Sequence, residues 1–291
     1  MDYHQNIFDD NSYVLFKANK PFALFPANKA VNILISHQGL SYGGLLLQSD
    51  AKFDNVLLAF TALLKQIEID GFTEITVKLI PKIYHDLPSD ELDYLLFKIN
   101  AKLFRRDISS VIETPNPLTV SSSNRKRGLR RAKNNNLKVR ESTDFESFWN
   151  SILIPNLKSQ HNAKPVHSID EIVTLHKNFP KNIRQFNVYK KDVIVAGVTI
   201  FESKNVAHAQ YISGNESKQE LGSLDIAFDY LINTVYKQKK YFDFGISNEN
   251  EGQQINKGLL SWKESFGARS TTIDFYSIDP KNHTKLNTTL I

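Results

Sequence analysis

The chain has 291 residues, 41% of them hydrophobic and 11% aromatic, which is enough for two filled cores and too apolar for a disordered chain. A formal charge of +5 gives a mildly basic surface that suits phosphate-bearing ligands, nucleic acid or a membrane face without choosing among them. Cysteine is absent, which excludes disulfides, thiolate nucleophiles and cysteine metal sites together.

Residues 1–6 lack the basic end and apolar core of a signal peptide, and the longest apolar run, 193–201, is too short to span a bilayer. A cytoplasmic protein is expected, with any membrane contact peripheral. Strand-like alternation falls at 13–17, 22–26 and 31–36. A loop dense in small and polar residues follows, Ser36-His37-Gln38-Gly39-Leu40-Ser41-Tyr42-Gly43-Gly44, and then a helix over 53–69. A strand at 74–80, a helix at 89–104 and a strand at 107–113 come next. Proline and serine cluster over 115–123, which predicts a linker and two domains, 1–120 and 121–291.

The second part opens with the strongest local charge in the chain, Arg125-Lys126-Arg127-Gly128-Leu129-Arg130-Arg131-Ala132-Lys133, expected as a helix. A short strand at 137–140 is followed by a helix over 144–158 and a second helix from 168, which stops before Pro180. Strands at 184–190, 193–202 and 206–214 are separated by the tight turns Lys191-Asp192 and Lys204-Asn205, as in an antiparallel meander. The loop over 213–223 leads into an amphipathic helix over 222–239. A strand at 241–247, a helix over 256–266 and a strand at 270–278 complete the chain. The order is β-α-α-β-β-β-α-β-α-β, and the first part repeats its later members. The fold class expected is α+β, in two related halves, each a mixed, mainly antiparallel sheet flanked by helices.

A loop running straight into a helix aims the first-turn N–H groups and the positive end of the helix dipole at whatever occupies the loop. Gln219, Gly222 and Ser223 are therefore expected at an anion site for a pyrophosphate or carboxylate. No Walker loop, Rossmann fingerprint or metal motif occurs.

The segments Tyr241-Phe242-Asp243-Phe244-Gly245-Ile246-Ser247 and Gly258-Leu259-Leu260-Ser261-Trp262-Lys263-Glu264-Ser265-Phe266-Gly267 resemble the "DFG, then K-x-x-F-G" ending of FemAB-like acyltransferases. The element order of the second half is similar to the GNAT acyltransferase fold, and its doubling resembles the FemAB-like branch, including BioF2-like acetyltransferase domains. What the resemblance implies is two tandem GNAT-like domains that move an acyl group from an activated donor to an amine such as an amino sugar, a nucleotide-linked sugar or another envelope precursor. No permanently bound cofactor or metal is implied. The donor partner would be acyl-CoA as co-substrate, a carrier-protein thioester or an aminoacyl-tRNA. One departure stands out: CoA-dependent GNAT loops read Q/R-x-x-G-x-G/A, whereas Gln219-Glu220-Leu221-Gly222-Ser223-Leu224 ends in leucine, where close approach to a diphosphate wants no side chain. An aminoacyl-tRNA-dependent peptide-bridge transferase and a non-catalytic GNAT-fold binding module are the alternatives.

Acyl transfer needs a held nucleophile, a route for its proton and donors aimed at the oxyanion. Trp262-Lys263 resembles the aromatic-lysine pair of Fem transferases, with a cation beside a ring for the developing charge; its other reading is a core anchor next to a solvated lysine. Tyr211, with His208 and Gln210 on the opposite strand face, either protonates the leaving group or fills the sheet. Asp243 either serves the incoming amine or fixes a loop. Ser247 shares the Asp243 face and is expected at the substrate. Arg130 and Arg131 are expected to grip phosphate, with a solvated charged face as the alternative. His37, Tyr42 and Gly43 are expected to line the acceptor pocket or to form a structural turn.

Overall fold

The computed structural model describes residues 7–114, 118 and 122–290. The chain divides into two compact units. One runs to Asp107 and takes in residues 250–254 and the end of the chain from Thr272; the other comprises residues 108–249 and 255–271. This differs from a division at 120/121, because the strand Lys102–Glu113 runs unbroken through the change of unit and Arg269–Ile278 carries the chain back to the first unit. The proline- and serine-rich stretch expected as a linker lies mostly outside the described residues.

The first unit contains β1 (Asp9–Asp10), β2 (Tyr13–Lys17), β3 (Lys20–Phe25), β4 (Asn28–Ala30), β5 (Ile33–Ile35), β6 (Leu46–Leu47), α1 (Phe53–Ile69), β7 (Glu74–Lys78), α2 (Glu91–Lys98) and the start of β8 (Lys102–Glu113). Val56, Leu57, Phe60, Leu63, Leu64 and Ile67 recur at three- and four-residue spacing and are all buried, which fixes the face α1 presents. They pack on Phe25, Leu34, Ile75 and Val77, and burial of each such side chain is worth about 1.5–3 kcal/mol. β5 and β7 run parallel with α1 between them, while β1, β4 and β5 pair antiparallel in series. The strand expected over 31–36 begins later, at Ile33, because Val31 takes a left-handed turn conformation at φ 57° and is exposed.

The second unit runs α3 (Ser123–Asn134), β9 (Leu137–Ser142), α4 (Phe145–Phe148), α5 (Ile154–His161), α6 (Ile169–Asn178), β10 (Ile183–Lys190), β11 (Val193–Glu202), β12 (Val206–Gly214), α7 (Lys218–Leu221), α8 (Ser223–Tyr230), β13 (Tyr241–Ile246), β14 (Asn248–Glu249), β15 (Gln254–Ile255), α9 (Lys257–Glu264) and the start of β16 (Arg269–Ile278). The end of β8 and then β13, β12, β11, β10 and β9 lie side by side, and only β12 and β13 are parallel. One face carries Phe186, Val198, Ala209, Phe228, Phe242, Phe244 and Phe266; the other carries Phe145, Phe148, Trp149, Ile172, Ile183 and Tyr211. α6 starts with a complete capping box, Ser168 accepting from Glu171 N–H and the Glu171 carboxylate accepting from Ser168 N–H.

The helix expected over 222–239 is shorter. It ends in a π-turn, Leu231–Val235, closed by Tyr236 N–H to the Leu231 carbonyl at 2.8 Å. The loop before it already contains α7, which ends at Gly222 in the left-handed conformation. Both units thus share a strand, a crossover helix and a parallel strand, flanked by antiparallel partners.

Candidate active site

β12 and β13 pair at Val206 with Tyr241, Ala207 with Phe242 and His208 with Asp243, and there the parallel ladder stops. β12 continues along β11 to Gly214, whereas β13 continues along β8 to Ile246 opposite Ser109. Each strand leaves through a bulge. On β12 the extra residue is Gln210, since Thr199 faces Tyr211 and Ile200 faces Ala209. On β13 the irregularity falls between Asp243 and Ile246, with Gly245 at φ 76°. The sheet therefore opens immediately past His208 and Asp243, and among the described residues no strand pairs with the β13-facing edge of β12 beyond His208.

The root of this opening is polar. Asp243 is 3% exposed and sits on the face away from Phe242 and Phe244. Its Oδ1 accepts from Ser109 Oγ at 2.5 Å and Gly245 N at 2.8 Å, and its Oδ2 lies 2.9 Å from His208 Nδ1. Burial opposes ionisation of this carboxyl, but the charge His208 carries when protonated and the hydrogen bonds from His208, Ser109 and Gly245 outweigh it and hold the group below the usual carboxylate range. Gly245 also connects to Lys263: the ammonium donates to the Gly245 carbonyl at 2.8 Å and the Ile246 carbonyl at 2.6 Å. Lys263 is 2% exposed, and burial lowers it from 10.5 to about 8, against the pull of Asp243. Lys263 and Asp243 are thus brought together across one glycine.

Trp262 points to the other face, against Phe228, Phe244 and Phe266 at 5.4, 6.0 and 5.2 Å between ring centres. There it borders a cavity of about 670 Å³ lined also by Arg125, Arg127, Arg131, Lys218, Gln219, Leu224 and Asp225. Arg125 is fixed by Asp225 at 2.5 Å and lies over the Phe266 ring at 5.2 Å. Burial pushes the Asp225 carboxyl up, with Arg125 and Arg131 pulling it back. The cavity is cationic, its three guanidinium groups and the Lys218 ammonium outweighing the Asp225 carboxylate.

Gly222 has a different surrounding. With φ at 70°, a Cβ built on it would stand 2.1 Å from the Gly128 carbonyl oxygen, and a Cβ on Gly128 would stand 2.1 Å from Asp225 Oδ2. These glycines let α3 pack backbone to backbone against the α7–α8 junction. Ser223 is fully buried, and among the described residues its hydroxyl has no hydrogen-bond partner.

Tyr211 lies three residues past His208 along β12. The Gln210 bulge shifts the strand's phase, so Tyr211 shares the face of His208 instead of opposing it. Its hydroxyl accepts from His167 N at 3.1 Å and meets His167 Nδ1 at 2.6 Å, its ring packs edge-on to Trp149, and burial raises its pKa. Ser247 bonds through its backbone to Ile108 and Asn256, and its buried hydroxyl has no hydrogen-bond partner among the described residues. Arg130 is exposed on α3 and Arg131 lines the cavity. In the first unit, His37 is 2% exposed at φ 55° with Nδ1 accepting from Gly39 N, Gly43 N–H bonds the Lys78 carbonyl, and Tyr42 stacks on Tyr84 at 4.6 Å.

His208, Ser109, Arg125, Arg127, Lys218 and Asp225 are the members sequence reasoning missed or set aside. The signal for Arg125 and Arg127 lay in the basic run itself. His208 stands 35 residues from Asp243, and only the parallel register of β12 and β13 makes them neighbours. Among the described residues no group of His, Asp and Glu is placed to hold a metal ion, and no helix is long and apolar enough to cross a membrane.

A mixed sheet whose central parallel pair parts over a polar root, with a crossover helix beside the gap, defines a GNAT unit, and two units make the arrangement tandem. The chain has the FemAB-like tandem GNAT fold. It is similar to L-PGS from Bacillus licheniformis (TM-score 0.63, 13% identity, covering 95% of this chain and 88% of that one). It is similar also to FemX (0.60, 11%, 94% and 89%) and to a tandem GNAT protein from the clavulanic acid biosynthesis pathway (0.50, 6%, 92% and 82%). No protein-family model matches the chain, and no curated protein matches it in sequence.

Proposed function

We propose that this chain is an acyltransferase that moves an acyl or aminoacyl group from a phosphate-bearing activated donor to an amine, with an amino sugar or other envelope precursor as the acceptor class. The observation that carries the proposal is the opening between β12 and β13 with the arginine-lined cavity beside it. An acyl carbonyl placed in the gap meets backbone N–H groups of β12 that no strand among the described residues uses, and the donor's phosphates meet Arg125, Arg127, Arg131 and Lys218.

Aminoacyl-tRNA is favoured over acyl-CoA as donor by one observation. A CoA-type cradle needs open backbone at the loop glycine, and here the Gly128 carbonyl covers Gly222 while the Leu224 side chain borders the cavity. Side-chain cations remain, and they suit a nucleic-acid backbone. Lys263, held by two carbonyls, acts in this scheme by placing positive charge at the end of β13.

The test is a thermal-shift panel of CoA, acetyl-CoA, longer acyl-CoAs, nucleotide sugars and tRNA, run on the wild type and on Arg127→Gln/Arg131→Gln. A ligand at a hundred times its Kd stabilises by about 2.7 kcal/mol. We expect a shift with tRNA that weakens in the double variant and with rising salt. A shift with the CoA series alone would replace the tRNA donor by a thioester, and an unaltered response in the double variant would remove the cavity from donor binding.

A further inference from the structure

We propose that Asp243 and His208 form a dyad in which the Asp243 carboxylate fixes the imidazole as the Nδ1–H tautomer and leaves Nε2 as the base that takes the proton of the attacking amine. This rests on the acyl-transfer function proposed above and assigns the proton route within it.

The tautomer follows from the partners. Asp243 receives a hydroxyl, a backbone N–H and the imidazole, and it is almost fully buried. A carboxylate so surrounded by donors is an acceptor, so the proton on the 2.9 Å contact belongs to Nδ1. A neutral imidazole with Nδ1–H presents its lone pair at Nε2. Among the described residues no hydrogen bond is made at Nε2, and the His208 side chain retains 23% exposure against 5% for Asp243. The carboxylate is therefore too enclosed to meet a substrate, and the imidazole is the member a substrate can reach.

Placement gives the dyad its use. His208 is the last residue of β12 to pair with β13, so its ring stands at the root of the gap. Gly245 makes the space: a Cβ there would sit 3.3 Å from His208 Cε1, and its left-handed φ directs its N–H back to Asp243. Ala207 and Ala209 face the layer of Trp262, which borders the cationic cavity, and His208 faces the opposite side. A donor entering from the cavity and an amine approaching on the His208 side would meet through the gap in the sheet.

The step balances within these groups. As the amine nitrogen forms its bond to the acyl carbon, His208 Nε2 takes the N–H proton; as the bond from that carbon to the leaving oxygen or sulfur breaks, the imidazolium returns the proton to the leaving group. Asp243 remains ionised throughout and stabilises the transient imidazolium. It is a positioning residue, and His208 is the catalytic one.

Imidazole ¹⁵N spectra of the wild type, with His208 assigned by its loss in His208→Gln, read the tautomer directly. We expect Nδ1–H in the wild type, and the opposite tautomer in Asp243→Asn, whose amide donates to Nδ1. An Nε2–H wild type overturns the dyad. In transfer assays from acetyl-CoA or an aminoacyl-tRNA, His208→Gln should lower kcat toward glycine methyl ester by about 10²–10⁴-fold with little change in KM. Transfer to hydroxylamine, whose weakly basic nitrogen gives a more acidic adduct that loses its N–H proton readily to water, should fall less. Equal losses for the two amines overturn the base role. A wild type with the expected tautomer but no transfer from either donor sinks the acyl-transfer proposal, whereas the wrong tautomer sinks the dyad alone.

Discussion

Lys263 gives the most exacting test of the reasoning, because its burial makes a stability claim with a definite sign. The ammonium sits at 2% exposure, and burial lowers its pKa from 10.5 to about 8. Between these two pH values the unfolded chain holds a proton that the folded chain has released, so stability rises with pH across the window. Below pH 8 both states are protonated and the folded state carries the full cost of the buried charge; above 10.5 that cost is gone. The separation corresponds to on the order of 3 kcal/mol. Lys263→Met keeps length and removes the titration, so the difference in stability between wild type and variant should change by on the order of 3 kcal/mol from pH 7 to pH 10.5. The variant also leaves the Gly245 and Ile246 carbonyls without their charged donor, a pH-independent loss of about 1–3 kcal/mol for each orphaned group. Groups common to both proteins contribute equally and drop out of the difference. Chemical denaturation followed by tryptophan fluorescence is the assay, since both tryptophans, Trp149 and Trp262, lie in the second unit. Parallel stability curves for the two proteins across the window would refute the buried-ammonium argument.

Two further outcomes follow from the same neighbourhood. Ser109→Ala removes a hydrogen bond to the ionised Asp243, worth about 1.5–3 kcal/mol. Because the folded Asp243 pKa is lowered, this contribution is present above the unfolded carboxylate range and is lost as pH falls through the folded value. The variant should therefore be weaker at neutral pH and converge with the wild type in acid; a constant deficit at every pH would argue against it. Gly222→Ala meets a left-handed backbone, costing about 1–2 kcal/mol, and a Cβ position 2.1 Å from the Gly128 carbonyl. Forcing α3 outward adds about 1–3 kcal/mol more, so differential scanning calorimetry should show a lower Tm, and an unchanged Tm would refute the close helix contact.

The sequence carried the elements wherever local chemistry sets their ends. β11 and β12 have the bounds that alternation and the turns Lys191-Asp192 and Lys204-Asn205 predict, and α6 starts at the serine and glutamate of its capping box. The end of α8 was not legible, because a π-turn changes hydrogen-bond spacing without a marker residue. The same applies to Tyr211, whose face depends on a bulge at Gln210. Site chemistry was less legible still, since it depends on register between distant strands: Ser109 and Asp243 are 134 residues apart, and His208 is a lone histidine until β12 is laid parallel to β13.

Gly222 shows why a motif alone misleads. A glycine before a crossover helix fits a diphosphate, but the space it opens is taken by the Gly128 carbonyl, so its small size serves helix packing. What that packing achieves is to set Arg125, Arg127 and Arg131 along the cavity that the α7–α8 junction and Trp262 complete. The charge that a backbone cradle would have supplied at the loop comes instead from α3, and an anion held by long guanidinium side chains can be larger and less regular than a single diphosphate. The donor question therefore turns on the α3 arginines.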